Sequence, residues 1–518
     1  MKKTMKYFSM AALALVGAVM TSCSNSSDFE ETPAQPQPAS GDKVETLTAS
    51  VSMAGGETRA LTEGGVKTFT EGDKIAVVYK NTSGETVKAE SEELTDISVD
   101  GKSANFTVTL TNADKTQNVT YIYPASMAKS DGTVNYDALA EQDGTLATLA
   151  SNLDYCEYSG AWSGSNLPTG DMSNQLVVCA YTLKNSDGSD DITSNVTTMT
   201  VSDGTNVYIV NRTAAAGPIY VAIQPTDNKN IKYTAIASSK VYTKNVTGKT
   251  YAKGKWLPLG LRMTQNDNII PGLFSVNGKK VYFSKGNLQA TTKDNGAHWS
   301  WHFAPNQYAR VGTGANVYIN GNGTVTNDGN GKNIDLFGWS TDATHLGINN
   351  STDNSTYSGG FADWGSASEV TACIGTGWRT LTSNEWRYLT NTRAGNRFAM
   401  ASIGGTRGGI ILLPDNWKTS YYTLSNINDA TKAFTANTIT AANWTSKLEA
   451  HGAVFLPVTG HREGTTVSYY DDRLYYWSAT GTSATNANQM YSFVGTLAPD
   501  AGGGRHWSNA VRLVYDIK

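Results

Sequence analysis

Short runs of strand-forming residues, separated by turn residues, follow one another along the first half of this 518-residue chain. Residues 106–110 alternate apolar and polar side chains, as expected of a strand with one buried face. Residues 119–123 form another run, and Pro124 ends it because proline cannot donate a hydrogen bond to a sheet. No long stretch of this half has the periodicity of a helix. Many short strands at regular spacing predict β-sandwiches.

The same reasoning predicts further strands at 44–53, 175–183, 196–201, 206–210, 218–223, 231–237 and 256–263. Residues 69–79 predict a turn followed by a buried strand. The overall charge is low for so long a chain: charged residues make up 17% and the net charge is −4. Binding to nucleic acid needs a basic surface that neutralises phosphates, so the composition argues against a nucleic-acid partner.

The N-terminus is typical of an export signal, with three lysines before an apolar core at 11–20. Residues 20–23 (Met-Thr-Ser-Cys) resemble a bacterial lipobox, which implies cleavage before Cys23 and lipidation of its thiol. Several acyl chains on one residue would anchor the protein stably to a membrane. The alternative is an ordinary cleaved signal followed by an incidental cysteine.

Residues 24–42 are rich in Ser, Pro, Gln and acidic residues, which predicts a solvated tether. Asp28, Glu30 and Glu31 resemble the acidic surface-export signal of lipoproteins in the Bacteroides group. A tether that is merely acidic and solvated is the alternative. Further along, Cys156 and Cys179 are expected to be buried thiols, with a disulfide between them as the other option.

A series of short motifs follows the tether in a fixed order: Glu57–Ala60, Phe69–Val77, Tyr123–Pro124, Gln142–Leu146, Gly217–Ile223 and Lys253–Trp256. Together they resemble the fimbrillin-like family of Bacteroides-type bacteria over about residues 43–263. The resemblance implies two transthyretin-like β-sandwiches. It also implies a role among the shaft, anchor and tip subunits of protease-assembled pili, with other pilin subunits as partners.

The resemblance gives Arg59 and Ala60 a role. Pilins of this family are cut after an arginine in the loop that follows the first strand. Loss of the strand at 44–53 would open a groove along a sheet edge, and a neighbouring subunit could fill it by β-augmentation. The alternative is that Arg59 is an ordinary loop residue and that the protein stays anchored by lipid.

The composition changes at 264–272, which marks a boundary. Asn277-Gly278 predicts a tight hairpin beyond it. Two helices are predicted: one at 382–393 with a capping box formed by Thr382 and Glu385, and one at 440–452. Ten of the twelve tryptophans lie after residue 270, and most of them are expected in the core.

The motifs Gly377–Trp386, Tyr476–Ser478 and Val511–Val514 resemble a bacterial C-type-lectin-like domain over roughly 270–518. The calcium-site triplets of animal lectins are absent, so no calcium, other metal or cofactor is carried over. In one branch of such proteins a retroelement diversifies the C-terminal stretch. A fixed domain with unremarkable loops is the alternative.

The predicted fold class is mainly β, with two transthyretin-like β-sandwich domains followed by an α+β C-type-lectin-like domain. The predicted organisation is a lipoprotein signal peptide (1–22), a tether (23–42), a first sandwich (43–155), a second sandwich (156–265) and a ligand-binding domain (266–518).

Ligand contact is expected on polar and aromatic loops near the end of the chain, because Tyr, Asn, Asp and Arg suit adaptable binding loops. The candidate residues are Tyr470, Asp472, Arg473, Tyr475, Asn486, Asn488, Tyr491, Arg505, His506 and Asn509.

The leading hypothesis is a surface-exposed lipoprotein adhesin of the outer membrane that forms a pilus tip. It would accept a strand from a neighbouring pilin and bind a host, bacterial or glycan ligand. A large domain follows the two sandwiches, which favours strand acceptance over donation. The alternative is a surface glycan-binding lipoprotein that works beside a nutrient importer. No catalytic motif supports an enzyme.

Overall fold

A computed structural model describes residues 41–53, 68–153, 155–292, 297–313, 316, 332–342, 345–405 and 407–518. The predicted signal peptide, nearly all of the tether, Cys23, Arg59 and Ala60 lie outside the described residues. Val44 to Lys518 form one compact unit. It is mainly β, as predicted.

The strands of the first half are β1 (Val44–Met53), β2 (Ala76–Lys80), β3 (Thr86–Glu90), β4 (Ser103–Thr111), β5 (Val119–Tyr123), β6 (Glu141–Gln142), β7 (Cys156–Gly160), β8 (Gly170–Asn174), β9 (Val177–Asn185), β10 (Val196–Ser202), β11 (Val207–Asn211), β12 (Ile219–Ile223), β13 (Thr226–Ala237), β14 (Lys240–Tyr251) and β15 (Trp256–Gln265). The predicted strand at 44–53 is confirmed at both ends.

The first sheet has seven strands in the order β3-β2-β5-β7-β8-β1-β4. Alternate residues of β1 turn towards one core, where Ala49 and Val51 are buried. The sheet continues past the predicted boundary at residue 155 and ends with β8 at Asn174. It does so because Cys156 and Met172 pack into the same core as Val51. The second sheet has eight strands in the order β12-β9-β15-β14-β13-β10-β11-β6.

The strands of the second half are β16 (Ile269–Val276), β17 (Lys279–Ser284), β18 (Leu288–Thr292), β19 (Ser300–Phe303), β20 (Lys332–Ile334), β21 (Trp378–Thr380), β22 (Phe398–Ile403), β23 (Arg407–Leu412), β24 (Thr438–Ile439), β25 (Val454–Pro457), β26 (His461–Glu463), β27 (Thr466–Ser468), β28 (Leu474–Gly481), β29 (Asn486–Phe493), β30 (Thr496–Gly504) and β31 (Leu513–Asp516). They form small sheets ordered β16-β17-β31-β21, β19-β18-β20, β24-β22-β23-β25, β26-β27 and β28-β29-β30.

The α-helical segments are α1 (Leu146–Thr148), α2 (Ser368–Ile374), α3 (Ser383–Arg387) and α4 (Ala441–Asn443). Both predicted helices are present, although only the first residues of each are α-helical and π- or 3₁₀-helical turns follow. α3 runs on into a π-helical turn at Tyr388–Thr392, and its predicted capping box is formed by Thr382 and Glu385. α4 runs on through Trp444–Leu448 and Glu449–His451, and Gly452 ends it with a φ of 87°. The sequence pattern did not predict α2, because its seven residues are too few to show the periodicity of a helix.

The second sheet packs against the C-terminal region through a shared core. Ile236 and Val241 lie in one apolar cluster with Tyr282, Trp378 and Leu513. The Lys280 ammonium lies 2.8 Å from the Glu141 carboxylate across the same junction. Because apolar and charged contacts both cross it, the junction holds the two regions in one arrangement.

The tryptophans expected in the core are there: Trp378, Trp386, Trp444 and Trp477 are all buried. Cys156 and Cys179 are also buried, on different sheets, and form no disulfide bond. Burial in the apolar run of β9 raises the pKa of Cys179 to about 12, which keeps this thiol protonated.

Candidate functional site

The loop between β27 and β28 presents two neighbouring tyrosines on the surface. Tyr469 is 46% exposed and Tyr470 is 37% exposed. Tyr469 has a φ of 58°, in the left-handed region that residues other than glycine rarely adopt. A bulky residue held in such a conformation is a recognised mark of a functional position.

The Arg473 side chain packs against Tyr469 and holds this loop in place. Its guanidinium carbon lies 3.9 Å from the centre of the Tyr469 ring and 5.3 Å from that of Phe493. One terminal nitrogen donates to the Tyr491 hydroxyl at 3.3 Å. The Arg473 Nε also lies 3.8 Å from an Asp472 carboxylate oxygen. A cation over an aromatic face is attracted by the ring quadrupole, so the guanidinium holds the Tyr469 ring in place.

An aromatic cluster continues from Tyr469, and we call it the aromatic platform: His461, Tyr469, Tyr475, Tyr491 and Trp507. The His461 ring centre lies 5.8 Å from that of Tyr469, 4.8 Å from that of Tyr475 and 5.0 Å from that of Trp507. The rings of Tyr475 and Tyr491 follow at 4.9 Å. Such contacts hold the aromatic side chains in fixed orientations. A ligand that binds them therefore causes little further loss of side-chain entropy.

His461 is the most constrained member of the platform. It is 7% exposed, and its Nδ1 has no hydrogen-bond partner among the described residues. Burial lowers its pKa below the ordinary value, so the imidazole is neutral near pH 7. The neutral imidazole is therefore a buried, fixed part of the stacked cluster.

Two further polar groups border the platform. Arg310 pairs with Asp471 at 2.6 Å, and its guanidinium carbon lies 5.3 Å from the Tyr470 ring centre. On the other side, the Nδ1 and Nε2 atoms of His506 lie 2.9 Å from Asn354 Oδ1 and 3.1 Å from Glu463 Oε1, two hydrogen-bond acceptors. The border is therefore charged while the centre is aromatic.

The structure brings together some of the predicted ligand residues and separates others. Tyr470, Asp472, Arg473, Tyr475, Tyr491 and His506 lie on or beside the platform. Asn486 is exposed at the start of β29, and Asn488 is half-buried.

Arg505 and Asn509 lie deeper. Arg505 is 6% exposed and donates to the carbonyls of Tyr357 and Gly359, both at 3.0 Å. The amide of Asn509 is fully buried and donates to Gln489 at 2.6 Å. In this structure both side chains tie loops together, and the ligand role of all ten residues stays a prediction.

The sequence did not single out Arg310, His461, Phe493 or Trp507. Arg310 is distant from the candidate residues along the chain, and the tertiary fold brings it to Tyr470. His461 is only eight residues before Tyr469, and the β26–β27 hairpin brings its ring to that tyrosine. Phe493 and Trp507 are close in sequence to the candidate residues Tyr491 and His506. The sequence alone does not show whether their rings face a cation or the core.

No metal cluster is built into the described part of the chain: no group of three His, Cys, Asp or Glu is placed to hold an ion there. Within the same residues, the helices are too short and too polar to cross a membrane.

Comparison with known families yields no matching family model. No curated protein matches this sequence either.

Several solved structures are similar at low levels. A candidate cell adhesion protein from Bacteroides fragilis is 12% identical, with 51% of this chain and 95% of that chain covered and a TM-score of 0.27. A fimbrial assembly protein from Parabacteroides distasonis is 9% identical, with 46% and 95% covered and a TM-score of 0.27. A fimbrial protein from Bacteroides ovatus is 12% identical, with 91% and 99% covered and a TM-score of 0.22. Because these TM-scores are below 0.5, the similarities decide neither the family nor the function of this chain.

Proposed function

We propose that this protein is a surface adhesin that acts as a pilus tip subunit. Its first sheet accepts a strand from a neighbouring pilin, and its C-terminal region binds a surface ligand through the aromatic platform. The position of β1 within the first sheet is the observation that carries the proposal.

β1 lies between β8 and β4, so its removal would leave two strands with unpaired edges. It pairs antiparallel with β4 from Val44 opposite Thr111 to Ser52 opposite Ser103. It also pairs parallel with β8 from Val51 to Met53. An incoming strand in this groove would gain main-chain hydrogen bonds on both sides, which is the physical basis of β-augmentation.

Side chains define what such a strand would need. Ala49 and Val51 fill the core from β1, so small or branched apolar residues at alternate positions would fit the vacated space. On the other face, the hydroxyls of Thr46 and Thr48 lie 3.0 and 2.9 Å from those of Thr109 and Thr107. On that face an incoming strand would need short polar side chains that can pair with these hydroxyl groups.

β31 is enclosed in its sheet. It pairs with β17 on one side and with β21 on the other. Leu513 and Val514 are fully buried. Releasing β31 would expose this core, so strand acceptance at β1 is favoured over donation from β31.

The same proposal includes export and processing. Cys23 would carry the lipid that holds the protein to the outer membrane before processing, and cleavage between Arg59 and Ala60 would release β1. Pili sheared from cells that produce Arg59→Ala protein should lack this subunit, whereas wild-type pili contain it. Arg262→Ala is a matched control, because Arg262 is an exposed arginine of β15 outside the processing loop. Equal incorporation of wild type and Arg59→Ala would refute the processing step.

A further inference from the structure

A cleft of about 690 Å³ opens where the second sheet meets the C-terminal region. Its walls come from β10, the end of β11 and the β13–β14 turn on one side, and from residues 416–421 and 450–451 on the other. This volume falls within the range of small-molecule sites, which typically measure a few hundred to a thousand Å³. The cleft is separate from the aromatic platform, since the two share no residue.

The cleft is cationic in a chain that is acidic overall. Arg212 and Lys418 line it, and none of its described lining residues is Asp or Glu. The net charge of the whole chain is −4. A concave surface with one sign of charge and no internal counter-ion attracts a ligand of the opposite sign.

The Arg212 guanidinium is fixed by hydrogen bonds to its own loop. Its Nη2 donates to the Ala215 carbonyl at 2.6 Å and its Nε to the Thr213 carbonyl at 3.3 Å. Its Nη1 is buried and has no hydrogen-bond partner among the described residues. A guanidinium that is fixed by its own loop places a positive charge at the cleft, and such a charge attracts a carboxylate.

The rest of the lining suits a sugar. The Tyr421 and His451 rings stack with centres 3.9 Å apart and planes at 20°. The hydroxyl of Thr198 bonds to Asn211 Oδ1 at 3.3 Å, a contact that does not use the Asn211 amide nitrogen. An aromatic wall with amides and hydroxyls around it can contact the C–H face of a sugar ring and its hydroxyl groups.

The turn between β13 and β14 adds a mark of function at the rim. Ser238 and Ser239 have φ values of 49° and 61°, so two consecutive residues other than glycine adopt the left-handed conformation. Asn and Gly are the usual residues in such turns. The two serines place hydroxyl groups at the cleft although their backbone conformation is unfavourable.

We propose that this cleft binds a sugar residue that bears a carboxylate. Arg212 and Lys418 would pair with the carboxylate, and the Tyr421–His451 stack would lie against the ring. The proposal does not depend on pilus assembly or on the aromatic platform.

Calorimetric titration of the full chain tests it with glucuronate, galacturonate and N-acetylneuraminate against neutral methyl glycosides. At least one acidic sugar should bind and its neutral counterpart should bind at least about tenfold more weakly. Arg212→Gln and Lys418→Gln should each weaken binding of the acidic sugar, by about tenfold for Arg212. Arg262→Gln and Tyr469→Asn are the controls and should leave this affinity unchanged.

Lys418 is exposed, so its substitution keeps the test valid even if Arg212→Gln disturbs the loop. The proposal is overturned if no acidic sugar binds with a Kd below about 10 mM. It is also overturned if neutral sugars bind as tightly as acidic ones, or if both variants bind the acidic sugar as tightly as the wild type does. Inorganic sulfate that binds as tightly as the acidic sugars would also overturn it, because the cleft would then be a simple anion site.

Discussion

The Arg473 guanidinium lies 3.9 Å from the centre of the Tyr469 ring, and Tyr469 itself has a left-handed backbone with a φ of 58°. The attraction between cation and ring compensates for an unfavourable backbone. The relationship explains how a large exposed ring is held rigid on the surface, as a binding platform requires.

Tyr469→Asn should separate stability from binding. Asparagine tolerates the left-handed conformation, so relief of about 1 kcal/mol of backbone strain should offset a similar loss of ring contact. Denaturant unfolding should show a change below about 1 kcal/mol, whereas binding to cells or surfaces recognised by the wild type should fall. A loss of stability above about 2 kcal/mol would instead make Tyr469 a structural residue.

His461 should make the platform sensitive to acid. Burial lowers its pKa from the ordinary 6.5, and Arg473 and His506 add to this, while Glu463 opposes it. The unfolded chain therefore takes up the proton first as pH falls. The contribution of neutral His461 is fully present above about pH 6.5 and is lost as pH drops through the folded-state pKa.

His461→Gln should remove this component. Unfolding midpoints measured for both proteins from about pH 7.5 to pH 5 should show a steeper acid decline for the wild type. The comparison cancels the carboxylates that titrate in both chains. A steeper decline for the variant would contradict the lowered pKa.

Glu385 links the helix start to the neighbouring strands. Its two carboxylate oxygens accept from Arg379 at 2.8 and 2.9 Å, and one also accepts from the Thr382 amide at 2.9 Å. Glu385→Gln should cost about 2–3 kcal/mol in denaturant unfolding, because glutamine can keep the capping box but removes the charge that pairs with Arg379 in a largely buried ion pair. The control Glu369→Gln, at an exposed position of α2, should change stability by less than about 0.5 kcal/mol. Equal effects of the two changes would contradict this reading.

A peptide can test the groove that β1 occupies. A chain that begins at Ala60 should bind a synthetic peptide of residues 44–53 and melt at a higher temperature with it. The same peptide with Val51→Asp should not bind, because Val51 is buried against the core and a carboxylate there is strongly disfavoured. Equal stabilisation by both peptides would argue against strand insertion.

Local patterns predicted most strands of the first half, the hairpin at Asn277-Gly278 and the capping box of Thr382 and Glu385, because these depend on neighbours along the chain. They did not predict β3, β6, β7, β8 or β14. The end of the first sheet at Asn174 was not predictable, since β8 joins that sheet by pairing with β1 more than a hundred residues earlier. The aromatic platform was predicted only in part. Arg310 reaches it through tertiary packing, and no local signal distinguishes a stacked histidine such as His461 from an ordinary strand residue.

The most direct test of the pilus-tip account is mass spectrometry of this protein in filaments sheared from the surface of cells that produce it. The account predicts a mature N-terminus at Ala60 and a strand from another subunit cross-linked beside β4 and β8. Protein found only in the membrane fraction, with an acylated N-terminus at Cys23 and residues 44–53 retained, would contradict it.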